Sequence, residues 1–515
     1  MNNILGAVAT GNLKGKSKRE YMRVILMSMP DVAPLVIHES AIHMPSHGIA
    51  CVGGNVDAQH DVYIVDLIRK RKQLKKYITK LLSKIRPDLV GLSAMAWQYD
   101  TCIKLIRLIK NVLPTVKIAI GGYHATLMNE EIAESPESRS IDFMIRGEGE
   151  EAFRRLVNAL DGKDRLEDIP SLTYKNGARF IHNPRAENLD LSILKLPIRD
   201  KRRLTWGYHF MYSKIELLET SRGCTRGCNF CSMKHMYGRS FRTYPIKRVL
   251  ADLDDIYYKR KARLVFIVDD NMVLNPKRVI ALCDAIIARN YKRLNLVVQA
   301  DCISMAHNEE MVCKMARAGI KSVFLGIENA SKKNLESAGK GDIVNDSRKA
   351  VEICHKNDIM VIGGLIFGFP EDNEASIIEN YQFLNTVGAD SAYCQILTPY
   401  PKTEMRQNLI NEGLVTNKYN YKKYSGLWAN VKTRYLDSDQ LQYLFWYHRQ
   451  VTLGWWNPSE WARSKGRLWT GIWLYAIKPV VKFFIDRSVA RNGWEKRYQK
   501  EVRRLANMNS FRDLE

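Results

Sequence analysis

The chain has 515 residues, 46% of them hydrophobic and 26% charged, and its formal net charge is +24. This composition excludes an intrinsically disordered protein, and the length predicts two or three domains. The longest apolar run near the C-terminus, Leu468–Ile477, is about half of what a bilayer span requires, and the first residues show no signal-peptide pattern, so we expect a cytoplasmic protein. The basic segment Arg69–Arg86 has the apolar spacing of a helix packed on a sheet. Because no RNA-binding module accompanies it, a nucleic-acid partner is not expected.

After a basic tail over residues 1–21, residues 22–165 alternate short apolar strands with helical segments. Strands are predicted at Val24–Met27, Val62–Val65, Leu89–Ser93, Ile118–Ile120 and Phe143–Ile145, and helices at Gly48–Gln59, Gln73–Ile85, Asp100–Val112 and Glu150–Leu160. The pattern indicates an α/β domain of the doubly wound, Rossmann-like type, with its ligand at the carboxyl ends of the strands. No G-x-G-x-x-G follows the first strand, so a dinucleotide is not indicated.

Residues 166–210 are predicted to be a linker with one extended pair, Leu172–Tyr174 and Arg179–Ile181, around Asn176-Gly177. Residues 211–410 then repeat a strand and a helix six times, which predicts a partial (β/α)6 barrel with its active site at the carboxyl ends of the strands. The polar or glycine-rich strand ends are Glu219-Thr220, Asp269-Asp270-Asn271, Ala300-Asp301, Gly326-Ile327-Glu328-Asn329, Phe367-Gly368-Phe369-Pro370 and Leu397-Thr398-Pro399-Tyr400-Pro401.

The first of these strands runs into a C-x3-C-x2-C triplet, Cys224, Cys228 and Cys231. Cysteine thiolates hold iron–sulfur clusters, and three of them would leave one iron of a [4Fe–4S] cluster open to another ligand. The next cysteine, Cys283, lies 52 residues further on. Zinc stays open from the spacing alone, because a structural zinc site takes four ligands and His235 is near in sequence. The remaining cysteines are scattered, which is typical of buried thiols in a reduced chain.

The triplet, with Phe230 before its third cysteine, resembles the signature of the radical S-adenosylmethionine (SAM) superfamily, and the strand ends resemble those of its barrel. In that family the open iron binds SAM, whose reductive cleavage gives a 5′-deoxyadenosyl radical. The resemblance implies a [4Fe–4S] cluster on the three cysteines and a reductase, flavodoxin or ferredoxin as electron donor. It further implies that SAM is contacted by Phe230, Gln299, Asp301, Gly326, Glu328, Asn329, Gly368 and Pro370, with Asp269-Asp270 as the second-strand pair.

The N-terminal domain resembles the cobalamin-binding domain that precedes the barrel in one group of radical SAM enzymes. That group contains the anaerobic magnesium-protoporphyrin IX monomethyl ester cyclase and the hopanoid methylases. The resemblance is carried by Pro45-Ser46-His47-Gly48, Ser93, Gly121-Gly122-Tyr123-His124-Ala125-Thr126 and Arg146-Gly147-Glu148-Gly149-Glu150-Glu151. It implies cobalamin contacts from His47, Ser93, Gly121, Gly122, His124, Gly147, Glu148 and Gly149. The D-x-H-x-x-G motif is absent, so a histidine ligand to cobalt is not expected.

Residues 411–515 are predicted to be a helical, basic and aromatic-rich region. Its tryptophans are Trp446, Trp455, Trp456, Trp461, Trp469, Trp473 and Trp494. Trp and Tyr favour membrane–water interfaces, and basic residues among them attract anionic lipids, so a helix such as Arg467–Phe484 could lie on the inner face of a membrane. The alternative is that these aromatic residues cover the barrel and line a large pocket. Both interpretations favour a bulky, apolar substrate.

We therefore expect a cobalamin-dependent radical SAM enzyme that methylates an unactivated carbon of a lipid-like or porphyrin-like molecule. A radical cyclase or a lipid carbon–carbon coupling enzyme has the same layout and stays open. Methylthiolation of RNA or protein is disfavoured, because its N-terminal domain should carry three more cluster cysteines and only Cys51 and Cys102 are present there. A non-catalytic cobalamin or redox sensor is the alternative from another class.

Overall fold

The computed structural model of the chain describes residues 21–32, 42–210, 213–453 and 478–514. The strands in this part are β1 Arg23–Ser28, β2 Ile42–His43, β3 Asp61–Asp66, β4 Leu89–Ser93, β5 Lys117–Gly121, β6 Phe143–Ile145, β7 Leu172–Asn176, β8 Arg179–His182, β9 His209–Phe210, β10 Ser213–Leu218, β11 Ser221–Arg222, β12 Arg242–Thr243, β13 Leu264–Ile267, β14 Asn295–Asp301, β15 Ile320–Glu328, β16 Met360–Phe367 and β17 Ser391–Ile396.

The α-helices in the same part of the chain are α1 His47–Asn55, α2 Leu74–Ile85, α3 Tyr99–Val112, α4 Tyr123–Leu127, α5 Asn129–Glu134, α6 Glu150–Leu160, α7 Met233–Tyr237, α8 Ile246–Asp254, α9 Pro276–Arg289, α10 Cys302–Ala306, α11 Glu309–Arg317, α12 Lys332–Ser337, α13 Val344–Lys356, α14 Glu374–Val387, α15 Glu404–Asn411, α16 Ser438–His448 and α17 Lys478–Met508. Helix α1 ends four residues before its predicted end, because the Asn55 amide donates back to the Cys51 carbonyl and Val56 is extended.

The first sheet has the order β3-β1-β4-β5-β6-β7-β8. Its first five strands are parallel and have apolar cores on both faces, as expected for a doubly wound domain. The order reverses between β1 and β4, and ligands of such folds bind in the crevice at this point, outside the carboxyl ends of the strands. The predicted Rossmann-like domain is thereby confirmed.

The segment over residues 166–210 is more than the linker that the sequence predicts. Its extended pair forms the hairpin β7–β8, and β7 pairs antiparallel with β6 at the edge of the first sheet. The sequence shows the hairpin through Asn176-Gly177, but it does not show which sheet edge the hairpin joins. The domain boundaries themselves stay a prediction.

The second sheet has the order β17-β16-β15-β14-β13-β10-β9-β2. Six parallel strands, β10 and β13 to β17, follow in chain order with helices on one face, which is the predicted half-barrel. Strand β2, from the N-terminal part of the chain, pairs with β9 at the far edge. The two domains therefore share a sheet.

The C-terminal region packs on both domains. Leu441 and Phe445 of α16 belong to the barrel core, where the Tyr381 hydroxyl donates to the Phe445 carbonyl. At the other end of the region, Phe511 is buried in the core of the first domain, and the Arg71 guanidinium lies over its ring. The tail thus connects the barrel to the N-terminal domain.

Candidate active site

The loop that carries the three cysteines is shaped by contacts with the rest of the barrel. It begins at Gly223, where φ is +85° and a Cβ atom would lie 2.3 Å from the Ser240 carbonyl oxygen, so only glycine fits. In the middle of the loop, Asn229 N donates to the Ala338 carbonyl at 3.0 Å, and the Asn229 carbonyl accepts from Met405 N at 3.1 Å. The loop is therefore held from two sides at the mouth of the barrel.

The three thiols are not gathered as closely as the ligands of a single metal ion would be. Ligand sulfurs on one tetrahedral zinc would lie ~3.8 Å apart, given Zn–S bonds of about 2.3 Å. Within the described ranges, the one group of three His, Cys, Asp or Glu ligand atoms within 4.8 Å of one another is His47, Cys51 and Glu219, and it includes neither the cysteine triplet nor His235. This donor set fits a [4Fe–4S] cluster and not the zinc site that spacing left open.

The second-strand carboxylates fix the start of the cysteine loop. Asp269 is buried and accepts from Thr220 N, Thr220 Oγ1 and Ser221 Oγ, each at 2.6 Å. Asp270 Oδ2 accepts from Gly223 N at 2.9 Å, and burial is the main cause that raises the pKa of Asp270 to about 6. This pair holds the end of β10 against the end of β13.

Glu328 and a residue that sequence reasoning missed, Lys340, form the most polar part of the barrel mouth. The register of β15 with β16 shifts between Gly326 and Glu328, and Glu328 has a φ of +64°. Such bulges re-aim a side chain, and a non-glycine residue at positive φ often marks a functional site. The Lys340 ammonium donates to Glu328 Oε1 at 2.7 Å and to the Gly326 carbonyl at 2.8 Å, and both side chains are largely buried.

The other residues predicted to contact SAM divide into two groups. Gln299 and Asp301 lie at the end of β14, where Gln299 Nε2 donates to the Asp269 carbonyl at 3.1 Å and Asp301 accepts from the Arg226 guanidinium at 2.7 Å. Gly368 and Pro370 follow β16, and half-buried Phe230 packs at the edge of the barrel core.

Asn329 is directed away from the barrel mouth. It is 1% exposed, and its side chain donates to the Ile366 carbonyl at 3.2 Å and accepts from Ser331 N at 2.9 Å. Its place next to Glu328 in sequence suggested a SAM contact. In the structure it ties β15 to β16.

The predicted cobalamin residues Ser93, Gly121 and Gly122 meet at the carboxyl ends of β4 and β5. Ser93 pairs with Gly121, and a Cβ atom on Gly122 would lie 2.9 Å from Ser93 Oγ. A Cβ atom on Gly121 would come no closer than 3.9 Å to any neighbour, the Ile145 carbonyl oxygen. This open space at a half-buried glycine suits the close approach of a flat ligand. Gly147 and Gly149 follow the next strand, β6, at the same edge of the sheet.

Glu148 lies in the interface between the N-terminal domain and the barrel, and not in the open crevice. We call this interface the seam; it consists of His47, Glu148 and Glu150 on one side and Glu219, Arg222 and Arg242 on the other. Glu148 Oε1 accepts from Arg222 Nη1 at 2.8 Å, and Oε2 accepts from Arg242 Nη1 at 2.9 Å and from Leu189 N at 2.8 Å. Arg222 also donates to Glu150 at 2.5 Å. Both carboxylate oxygens of Glu148 therefore accept hydrogen bonds from the protein, and its contact with cobalamin stays a prediction.

His47 lies in the same seam. Its Nε2 is 3.8 Å from Glu219 Oε2, and although burial lowers it, the pKa of His47 is raised to about 10 by Cys51 and Glu219. The group His47, Cys51 and Glu219 is not a convincing metal site, since Glu219 Oε2 already accepts from Arg222 Nη2 and from the Tyr244 hydroxyl, each at 2.9 Å. The raised pKa of His47 instead favours an ion pair with Glu219 across the seam.

His124 is enclosed by aromatic rings. It is 2% exposed and lies between Tyr99 and Tyr421, with ring centroids at 4.2 and 4.9 Å. Burial lowers the pKa of His124 to about 3, so the ring is neutral near pH 7. The ring therefore packs between the first domain and the C-terminal region, and its approach to the corrin stays a prediction.

Helix α4, which follows β5, lies beside α7, the helix that follows the cysteines. Thr126 Oγ1 is 3.9 Å from Met236 Sδ on α7 and accepts from Gly147 N at 2.9 Å. Burial, and after it the Asp270 carboxylate, raise the pKa of Tyr123. The candidate cobalamin crevice and the candidate cluster loop are thus neighbours across the seam.

The functional residues that sequence reasoning missed are mainly basic. Lys340 and Arg222 looked like ordinary surface charges in a chain with many of them, and their carboxylate partners appear only after folding. Met95, two residues after Ser93, is 43% exposed at the crevice edge of β4. The available signal in the sequence was an apolar residue two positions after the polar strand end Ser93.

The C-terminal tryptophans are described only in part. Trp446 and Trp494 pack in one aromatic cluster with Tyr443, Tyr447 and Tyr498, where Trp446 and Trp494 have centroids 6.0 Å apart. Trp455, Trp456, Trp461, Trp469 and Trp473 lie outside the described residues. Over the described ranges, no helix combines the length and the apolar character needed to cross a bilayer.

Family models match both domains: residues 34–157 match the B12 binding domain, and residues 218–384 match the radical SAM superfamily. An uncharacterized methyltransferase of Pyrococcus horikoshii is 28% identical over 422 residues, 82% of this chain and 90% of that protein. The anaerobic magnesium-protoporphyrin IX monomethyl ester cyclase of Rubrivivax gelatinosus is 24% identical over 78% of this chain and 72% of its own length.

A solved structure has the same fold. The radical SAM methyltransferase TsrM from Kitasatospora setae, with cobalamin and a [4Fe–4S] cluster bound, superimposes with a TM-score of 0.65 at 17% identity, over 77% of this chain and 79% of that chain. The two matched domains and the donor set described above agree on the cofactors, which are a [4Fe–4S] cluster, SAM and cobalamin. The chain thus combines a B12 binding domain with a radical SAM domain that follows it.

Proposed function

We propose that the protein is a methyltransferase that places a methyl group on an unactivated carbon of a bulky, apolar small molecule. The observation that carries the proposal is the seam, where α4, the helix after β5, contacts α7 next to the cysteine loop. A crevice and a cluster loop that share one seam can present both cofactors to one substrate. When bound, the cluster with SAM supplies carbon-radical chemistry, and cobalamin supplies a transferable methyl group.

The residues of the chain would act by binding and positioning. Cys224, Cys228 and Cys231 would hold the cluster, and the pair Glu328–Lys340 would hold the polar end of SAM beside it. Only glycine fits at position 326 beside this pair, because the Cβ atom of any other residue would lie 2.7 Å from Glu328 Oε1 and displace it. Gln299 and Asp301, at the end of the next strand, remain candidates for further SAM contacts.

The interior face of the half-barrel supports an apolar substrate. Along its strands, buried side chains that face the helices alternate with half-buried side chains on the opposite face. The apolar members of the half-buried set include Phe266, Val297, Phe324, Ile362 and Tyr393, and the rings of Phe324 and Tyr393 are 5.6 Å apart. Sites for small molecules are lined in this way, with few polar groups among apolar ones.

The C-terminal region supports water exclusion. The Gly426 carbonyl accepts from Ile396 N at 2.7 Å at the end of β17, and the Pro370 carbonyl accepts from Arg434 N at 2.9 Å beyond the end of β16. These bonds lay the segment after α15 over one side of the barrel mouth. Excluding water protects a reactive intermediate from side reactions.

The test is anaerobic turnover with SAM that carries an isotopic label in its methyl group. The substrates are apolar extracts, one of membrane lipids and one of porphyrins, with dithionite as reductant. We expect 5′-deoxyadenosine and S-adenosylhomocysteine together, with label in the extract, and no 5′-deoxyadenosine from Cys228→Ala. Release of 5′-deoxyadenosine with no label transferred from either extract would contradict methyl transfer and favour a cyclase or a coupling enzyme.

Two partner assignments accompany this proposal. We propose a low-potential flavodoxin or ferredoxin as electron donor, and contact of the aromatic, basic C-terminal region with an anionic membrane surface. The second rests on the tryptophans and basic residues of that region. Flotation with phosphatidylglycerol vesicles tests it: Trp455→Ala with Trp456→Ala should reduce binding, and undiminished binding would contradict it.

A further inference from the structure

Asn271 is buried beside the cysteine loop and contacts the sulfur of one cluster cysteine. It follows the carboxylate pair after β13 and is 5% exposed. Its Nδ2 lies 3.7 Å from Cys224 Sγ and 3.0 Å from Asp301 Oδ2. The backbone on either side is fixed, since Asp270 accepts from Gly223 N and Met272 N donates to the Gln299 carbonyl. The side chain therefore has a defined place next to the sulfur.

The orientation of the Asn271 amide follows from the charge of Asp301. The Arg226 guanidinium, Ser304 N and the amide itself all donate to this carboxylate, and their hydrogen bonds lower the pKa of Asp301 against the effect of burial. A carboxylate only accepts, so the NH2 end of Asn271 must face it. The same NH2 group then faces Cys224 Sγ with its second hydrogen. The opposite end, Oδ1, is buried without a hydrogen-bond partner in the described part of the molecule.

We propose that Asn271 is a positioning and tuning residue for the iron–sulfur cluster, which raises its reduction potential through the N–H···S bond to Cys224. The potential of such clusters depends on net charge and on hydrogen bonds to the sulfurs. One electron takes the cluster from the 2+ to the 1+ state with no bond made or broken, and part of the added negative charge falls on the cysteine sulfurs. A donor that faces the sulfur stabilises that state more than the oxidised one.

This inference goes beyond the proposed function but rests on its assignment of Cys224 as a cluster ligand. Arg226 N also donates to Cys224 Sγ, at 3.4 Å. Cys224 is thus the cysteine with two N–H donors, one of which is a side chain that can be exchanged without altering the backbone. A residue that merely tied β13 to β14 would leave the potential unchanged.

The experiment is an anaerobic redox titration with dithionite, followed by electron paramagnetic resonance of the reduced cluster in the holoenzyme without SAM. Asn271→Leu removes the donor at similar volume. We expect the ratio of reduced to oxidised cluster at the wild-type midpoint to fall about tenfold, which for a one-electron couple is a potential lower by about 59 mV. Asn380→Leu is the matched control, because Asn380 is also buried in the barrel and bonds to Ala330 N but to no sulfur.

An unchanged potential in Asn271→Leu at full iron content would overturn the inference, whereas a wild-type protein without iron would overturn the proposed function instead. If the variant does not assemble the cluster, a measurement on the wild-type protein tests the N–H···S bond instead. Labelling asparagine side-chain amides with ¹⁵N should change the nitrogen modulation in pulsed resonance spectra of the reduced cluster. Identical spectra with and without the label would overturn the inference.

Discussion

Removal of the Glu148 carboxylate should weaken the seam between the two domains. In Glu148→Ala, three hydrogen bonds are lost, from Arg222, Arg242 and Leu189 N, at 2.8 to 2.9 Å. The side chains of Glu148 and Arg222 are 5% and 6% exposed, so this is a buried ion pair. Breaking a buried pair costs about 3–5 kcal/mol. Arg222 keeps Glu150, so the lower end, ~3 kcal/mol, is expected.

The assay is urea unfolding of anaerobically purified protein, followed by near-ultraviolet circular dichroism. With an m-value of about 3 kcal/mol/M, the expected loss lowers the midpoint of the seam transition by about 1 M. Glu151→Ala is the matched control from the same motif. The Glu151 side chain is 46% exposed and pairs with Arg154 at the surface, where a salt bridge contributes about 0–1 kcal/mol.

Cobalamin content separates the two roles considered for Glu148. If Glu148 acts in the seam, Glu148→Ala should lower the urea midpoint, and the folded variant should still take up cobalamin. If Glu148→Ala unfolds like Glu151→Ala but no longer retains cobalamin, the reasoning from the seam is refuted and the contact implied by sequence resemblance is restored.

Three further predictions concern other parts of the molecule. Lys340→Met leaves the Glu328 carboxylate unpaired, and we expect the SAM dissociation constant in equilibrium dialysis to rise about 10- to 100-fold, or ~1.4–2.8 kcal/mol. Burial lowers the pKa of His124 to about 3, so the folded protein excludes a proton that the unfolded chain binds below about pH 6.5. The free energy of unfolding should therefore be highest above pH 6.5 and should fall as the pH is lowered towards 3. Thermal melts of His124→Phe should lose this slope, at most about 1.4 kcal/mol per pH unit. Phe511→Ala should reduce the free energy that holds the C-terminal tail on the first domain by ~3 kcal/mol, and the tail should then be cleaved in limited proteolysis.

Each of these predictions has a control. Lys332→Met removes a lysine whose side chain is 63% exposed and should leave SAM affinity unchanged. His307→Phe replaces a histidine whose side chain is 58% exposed, and the acid slope should persist. Arg512→Ala, beside Phe511, should not change proteolysis. Unaltered SAM binding in Lys340→Met, an undiminished acid slope in His124→Phe, or a protected tail in Phe511→Ala would each contradict the corresponding contact.

The sequence by itself determined the two folds and the chemistry of the cluster loop. Short, continuous apolar strands between helices are local patterns, and β4 and β6 begin and end at the predicted residues. The cysteine triplet and the absence of a nearby fourth cysteine are local too, and they indicated an open iron before any contact was known. The α/β class followed from such short-range signals, whereas SAM and cobalamin were implied by the resemblance to a known family.

The tertiary structure decided what the single polar side chains do. Glu148 was predicted at a cofactor, but its partner Arg222 is 74 residues away in sequence, and no spacing rule reveals that pair. His124 and Asn329 both follow strand ends, where cofactor-binding residues are expected. In the structure His124 packs against Tyr421 of the C-terminal region, and Asn329 donates to the Ile366 carbonyl of the neighbouring strand. Backbone pattern is fixed by local periodicity, whereas the partner of a buried charge or amide depends on which distant segments the fold brings into contact.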